Sequence, residues 1–336
     1  VQASVVIPCF NSLQYLPATL ESVVQQTMAD FEVVLVDDGG TDGLTEWAAR
    51  WSAEHDDDRV RVVRQENGGV SAARNFGIAE SRGDVVVFCD SDDLWEHDLL
   101  AELLGALEAN PRAGMSYGWY DVIDGNGTPT GRVVQSEWQG DVWEEFVTRN
   151  PVSASAVAVR SAVFDDVGVF AVNRDRFPID VEDWELWIRI AAQHQVALAP
   201  KVVAHHRRHD SNSSSNVESL AAAYAHLLDV VFADVTPERA ALRPMAAARI
   251  EVLLAWHCLN DRHDPAAALS HRRGARRYDQ SVRRSPEYWR LGAAAGALRV
   301  TGEPGYRLVR GASHAARRVI SALPVHRFRR EGTFSP

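Results

Sequence analysis

The chain has 336 residues, 46% of them hydrophobic and 24% charged, which is the composition of a soluble globule and excludes a disordered or fibrous protein. That length exceeds the ~100–200 residues of an ordinary domain and calls for one large α/β domain with an appended part. The net charge of −11 argues against a general nucleic-acid binder, and it is unevenly spread: residues 304–336 carry seven arginines against Glu331 alone, +6, leaving −17 on the rest.

Cys9, Cys89 and Cys258 lie far apart with no CxxC pair, so they offer neither a zinc cluster nor a disulfide framework. Free thiols and a reducing cytoplasm are expected. No apolar run approaches the ~20 residues of a membrane span, and the N-terminus lacks the basic and apolar regions of a signal peptide.

Along the chain, short apolar runs at residues 4–7, 31–36, 60–63 and 85–88 suit buried parallel strands. Between them Leu16, Leu20 and Val23, then Leu44, Ala48 and Trp51, then Val70, Ala73 and Gly77 recur at helical spacing. This βαβαβαβ order predicts a mostly parallel sheet flanked by helices. After Pro111 the pattern becomes hairpin-like, with Gly125-Asn126-Gly127 as a turn. A helix over 181–192 and a strand near 196–203 follow, and beyond 211–216 Ala-, Leu- and Arg-rich helices continue to about Leu323. The expected division is a sheet domain over 1–215 and a helical C-terminal region with a basic tail over 216–336.

Ligands of an open parallel sheet bind beyond the carboxyl ends of its strands. Here those ends read Pro8-Cys9-Phe10-Asn11, Asp37-Asp38-Gly39-Gly40-Thr41-Asp42 and Asp90-Ser91-Asp92-Asp93. Neither GxGxxG nor GxxxxGK[ST] is present, which argues against a dinucleotide oxidoreductase and a P-loop enzyme. Carboxylates held as close as Asp90 and Asp92 repel unless a divalent cation lies between them, and Mg²⁺ or Mn²⁺ fills its other positions with water and phosphate oxygens. The same residues also serve to cap the following helix. Asp37-Asp38 before two glycines is either a strand-to-helix turn or an acceptor for the N–H of a uracil-like base. Asn67 to Asn75 opens a helix whose start suits an anion, with Arg74 one turn in.

Ile7-Pro8-x-Phe10-Asn11, Val36-Asp37-Asp38-Gly39-x-Thr41-Asp42, Asn67-x-Gly69-x-x-x-Ala73-Arg74-Asn75 and Asp90-x-Asp92-Asp93-x-Trp95 together resemble, in order and spacing, the inverting glycosyltransferase family 2. The resemblance covers about residues 1–215 and departs at Gly40, where the family usually has serine. It implies the GT-A fold, a nucleotide-sugar donor, base and ribose contacts from Pro8, Asp38, Arg74 and Asp90, and metal coordination by Asp92. It further implies that Asp183, in Glu182-Asp183-Trp184, is the catalytic base. The helix start there should hold Asp183 ionised at neutral pH, with a lowered pKa. His206 to Ser213 resembles the family's Arg-x-His-x-x-Ser-x-Ser strip, implying that 211–216 closes over the diphosphate, with Arg207 as a neutralising cation and His209 completing the metal shell; an exposed basic loop is the plain alternative.

The expected activity is metal-dependent transfer, with Mn²⁺ or Mg²⁺, of a sugar from a UDP-sugar, or a dTDP-sugar, to a hydroxyl of a glycan, glycolipid or small molecule. The loops 115–134 and 149–178 should select sugar and acceptor, with Trp95 and Trp119 as stacking surfaces, while Trp184 and Trp187 read as core. A sugar-1-phosphate nucleotidyltransferase would need a Gly-rich phosphate loop near the first strand, and none is present. A catalytically inactive nucleotide-sugar-binding scaffold is the other alternative. The tail, with arginines among apolar residues, suggests peripheral docking on an anionic membrane or, equally, packing on the acidic body.

Overall fold

The computed structural model describes residues 1–172, 181–209 and 217–321, with side chains as far as Tyr306. The 211–216 strip, residues 173–178 of the expected acceptor loop, and nearly all of the basic tail's side chains lie outside the described residues. The chain divides into two compact units, Val1–Ala246 and a second beginning at Ala247.

In the first unit β1 (Ala3–Cys9), α1 (Leu16–Val24), β2 (Phe31–Asp37), α2 (Leu44–His55), β3 (Val60–Arg64), α3 (Val70–Glu80) and β4 (Val85–Phe88) alternate. β1 pairs in parallel with β2 and with β4, and β2 with β3. Every residue of β1, β2 and β4 is buried, so these strands read as unbroken apolar runs rather than alternations.

The chain continues through β5 (Leu94–Trp95), α4 (Leu99–Ala109), β6 (Ala113–Asp124), β7 (Pro129–Val134), α5 (Trp143–Phe146), β8 (Val157–Arg160), α6 (Val163–Val167), α7 (Glu182–Gln193) and β9 (Gln195–Arg208). The sheet order is β3-β2-β1-β4-β8-β6-β9-β5, with β7 paired to β6. β8 runs antiparallel to β4 and β6, and β9 runs parallel to β6. β6 and β7 form the expected hairpin, with Gly127 at φ 83° in its turn. Two strands are absent from the sequence reading: β5, Leu94–Trp95, has two residues, and β8, VAVR, ends in an arginine rather than forming an unbroken apolar run like the equally short β4.

The first unit extends past residue 215. α8 (Val217–Val231) buries Val217, Leu220, Tyr224 and Leu227, and the Tyr224 ring meets Trp184 of α7 edge-on, centroids 5.5 Å apart. After the short α9 (Pro237–Ala240), α10 (Arg243–Asn260) runs into the second unit, which holds α11 (Pro265–Tyr278) and α12 (Pro286–Ser321). Asp264 caps α11, its carboxylate accepting from the N–H groups of Ala266 and Ala267 at 2.9 Å. α12 is interrupted at Gly302, φ 67°, two residues before Pro304. No helix among the described residues is long and apolar enough to cross a membrane.

α3 lies so close to the sheet that a Cβ on Gly77 would fall 2.2 Å from Val6 Cγ1. Gly77→Ala should therefore lower stability by about 1–3 kcal/mol through overpacking, despite alanine's better helix propensity. Urea unfolding of the variant checks this; an unchanged or raised midpoint at the same slope contradicts it.

Candidate active site

The carboxyl ends of β1, β2 and β4 open into a cleft of about 810 Å³, lined by Pro8, Asp38, Arg74, Asp90, Asp92, Asp183 and His209 among others. Seven of the eight residues given donor-binding, metal or base roles from the sequence thus share one cavity, Arg207 being the exception. At the β2 end, Asp38 accepts from Gly68 N at 2.7 Å, Gly69 N at 2.8 Å and Gln65 Nε2 at 2.7 Å, so its carboxylate organises the 65–69 loop as well as facing the cleft. Asp37 turns inward, accepting from Gly40 N and Arg64 Nη1. A Cβ on Gly40 would lie 3.2 Å from Asn11 N and 3.3 Å from Asn11 Oδ1. Asn11 is held at φ 51°, with its side chain accepting from Thr41 N, so this tight turn accounts for glycine at position 40.

Asp90, Asp92 and Asp93 have three different fates. Asp93 is fully buried and accepts from Ser155 Oγ at 2.6 Å and Arg207 N at 2.8 Å. Against the opposing effect of burial, Asp93 pushes the neighbouring His206 imidazole up to about 9. Asp92 faces the cleft with Oδ2 2.8 Å from His209 Nε2, and burial, then Asp93 and Asp90, push its carboxyl up to about 6. Helix capping does not claim it: the N-cap of α4 is Asp98. The Tyr15 ring stacks on His209, centroids 4.8 Å apart. Arg207 lies behind this wall rather than in it, with Nε donating to the Asp92 carbonyl at 2.6 Å, Nη1 to the Gly125 carbonyl at 3.2 Å, and the guanidinium over the Tyr15 ring.

Arg74 of α3 bridges the two halves of the cleft. Its side chain is 5% exposed, with Nη2 2.7 Å from Asp90 Oδ1 and Nη1 2.8 Å from Glu182 Oε1. The strand-end carboxylate and the start of α7 are thereby tied to one cation. The next residue, Asp183, behaves opposite to the sequence expectation: burial, then the Glu182 charge, push its carboxyl up to about 8, overcoming Arg74 and the Trp184 N–H that bonds it. The first turn of α7 carries Glu182, Asp183 and Glu185, and desolvation with mutual repulsion outweighs the helix-terminus field.

The proposed stacking surfaces are corrected as well. Trp95 is 5% exposed and donates its indole N–H to the Ser155 carbonyl, while Trp119 donates to the Ser136 carbonyl; neither lines the cleft, whose aromatic walls include Tyr15 and Tyr120. Trp184 and Trp187 are buried, as expected. The roles of Glu182 and Asp93 were missed because each depends on partners remote in sequence, although both are acids beside a singled-out residue. The three cysteines are free and buried, and burial pushes the Cys9 thiol up to about 12, which makes it unreactive.

Among the described residues no group of three or more His, Cys, Asp or Glu side chains is arranged to hold a metal alone. Asp92 and His209 nevertheless fit a donor-bridging cation: crowding by neighbouring carboxylates strains Asp92 toward neutralisation, and one oxygen and one nitrogen donor leave the remaining positions for phosphate oxygens and water.

The model of a family described as glycosyl transferase family 2 matches residues 4–176. An uncharacterized glycosyltransferase of Rickettsia bellii is 28% identical over 216 residues, 63% of this chain and 30% of that protein, so the matched part is under a third of that relative's length. In fold, the UDP complex of S. aureus TarS 1-349 superposes with a TM-score of 0.60 at 18% identity, covering 94% of this chain and 92% of that one. A mannosyltransferase of Pyrobaculum calidifontis with GDP-Man and Mn2+ gives a TM-score of 0.60 at 19% identity, covering 95% and 86%.

Removing Arg74 leaves two carboxylates facing each other at a buried site. Arg74→Met should cost about 3–5 kcal/mol at neutral pH, and adding Glu182→Gln should restore a large part of it. Chemical denaturation of the two single variants and the double variant measures this coupling; additive losses contradict the bridge.

Proposed function

Because the chain belongs to glycosyl transferase family 2 and has the GT-A fold, we propose that its cleft transfers a sugar from a UDP-sugar to a hydroxyl acceptor, with inversion at the anomeric carbon. The observation that carries this reading is a protonatable buried carboxyl, Asp183, in the same cavity as the strand-end carboxylates Asp38, Asp90 and Asp92. A dTDP-sugar has the same base-edge N–H and remains within the proposal.

Pro8 and Asp38 frame the base, and Asp90, held by Arg74, meets the ribose. Asp92 and His209 would hold Mn²⁺ or Mg²⁺, which neutralises charge on the departing diphosphate. The Asp183 carboxylate accepts the proton of the acceptor hydroxyl as that oxygen bonds the anomeric carbon, while the bond from that carbon to the diphosphate breaks and its electron pair leaves with the nucleotide. One base is sufficient, because the incoming oxygen and the leaving group occupy opposite faces of the sugar. Binding and chemistry therefore sit on different residues: Asp183 serves the acceptor, whereas Asp92 serves the donor.

Asp183→Asn should abolish transfer, by at least about a hundredfold in kcat, with UDP affinity nearly unchanged; substantial residual turnover removes Asp183 from the role of base. The base works only when ionised, so a pKa raised to about 8 places the loss on the acid side. The wild-type kcat/KM should level off above about pH 8 and fall about tenfold per pH unit below it. A profile already flat at pH 6 contradicts this assignment.

UDP affinity should fall when EDTA replaces Mn²⁺, and Asp92→Ala should remove that difference. Calorimetry giving equal wild-type affinity under both conditions overturns the metal role. Absence of UDP release from any UDP-sugar tried, alongside intact UDP binding, identifies an inactive scaffold instead.

A further inference from the structure

A second cavity of about 350 Å³ is lined by Gln135, Ser136, Glu137, Trp138, Arg149 and Pro151. It shares a wall with the cleft: Arg149 and Pro151 line this cavity, whereas Asn150 and Val152 line the cleft. Tyr120 of β6, whose register partner is Val134, immediately before Gln135, lines the cleft together with Asn150 and Asp183.

The lining is built and yet unspent. Trp138 is fixed by its backbone, its carbonyl accepting from Tyr117 Oη at 2.8 Å and its N–H donating to Ser136 Oγ at 3.2 Å, with its ring tilted against Phe146. The indole N–H of Trp95, Trp119, Trp184 and Trp289 each reaches a backbone carbonyl. Trp138 has no such acceptor, as is also true of Trp47, Trp51, Trp143, Trp187 and Trp256, and beside it the side chains of Gln135, Glu137 and Arg149 have no hydrogen-bonded or ion-paired protein partner among the described residues. A half-buried indole beside a planar amide, a carboxylate and a guanidinium suits a sugar ring. The aromatic face meets its C–H groups, and the planar polar groups bond its neighbouring hydroxyls in pairs.

We propose that this cavity is an acceptor subsite that seats one sugar ring on Trp138, so that the acceptor is a glycan of at least two units, one at Asp183 and the next here. The inference rests on the glycosyl-transfer reading and names its acceptor class. Its test is direct binding of the full chain, loaded with UDP and Mn²⁺, to an array of neutral and anionic oligosaccharides, with UDP-sugar turnover followed separately. Wild type should retain a subset of glycans of two or more units. Trp138→Ala should weaken them at least about tenfold with UDP affinity unchanged, and Trp138→Phe should keep most of the binding. If Trp138→Ala also loses UDP, Arg149→Gln, a change at an exposed side chain, decides: glycan binding must fall while UDP binding stays.

Equal glycan binding by wild type and variants overturns the subsite, as does a wild type that retains no glycan while still turning over UDP-sugar. Retention only of anionic glycans, sensitive to Arg149→Gln and indifferent to Trp138→Ala, also overturns it, in favour of charge recognition. Failure of UDP-sugar turnover is a separate result that bears on the transferase reading alone.

Discussion

The buried guanidinium of Arg74, held between Asp90 and Glu182, is the contact on which the site depends. A cation at 5% exposure is stable only with both partners in place, so α3, the end of β4 and the start of α7 have to assemble together. Glu182 is then a fixed negative charge beside Asp183. The ion pair that closes the cleft thus also supplies part of the repulsion that keeps Asp183 protonatable.

Electrostatics and packing point the same way around this contact. Carboxylates accumulate at the strand ends because parallel strands bring their C-terminal residues to one edge, and each acid is satisfied differently. Asp37 and Asp38 are consumed largely by the loops they fold, and Asp93 by Ser155 and Arg207. Asp92 is left with an imidazole, and Asp183 with one backbone N–H. The two least-compensated acids are those whose pKa values rise, which is the pattern expected where a cation and a proton are to be accepted.

Much of the sheet was legible because β1, β2 and β4 are buried on both faces and the βα units are local in sequence. The short β5 and β8 carry no periodic signal, since their residues are strand only by pairing with β9, β4 and β6. The domain boundary expected at 215 follows a change in composition, whereas the compact units are divided by spatial contacts after Ala246, and α8 sets Tyr224 against Trp184. Trp95 looks like a ligand-facing residue in a motif, yet burial and a hydrogen bond to the Ser155 carbonyl make it a structural part.

By itself the sequence determined which chemistry was available. The order of strands placed Pro8, Asp38, Asp90 and Asp92 at one edge, and the acidic helix start supplied Asp183. Tertiary structure alone decided what those groups are. Protonation depends on desolvation and on charges a few ångströms away, and the neighbours that matter are remote in the chain: Glu182 reaches Arg74 across 108 positions, and His209 reaches Asp92 across 117. A rule based on position within a helix lowers the pKa of Asp183, whereas burial beside a second carboxylate raises it. That difference exists only once the chain has closed the cleft.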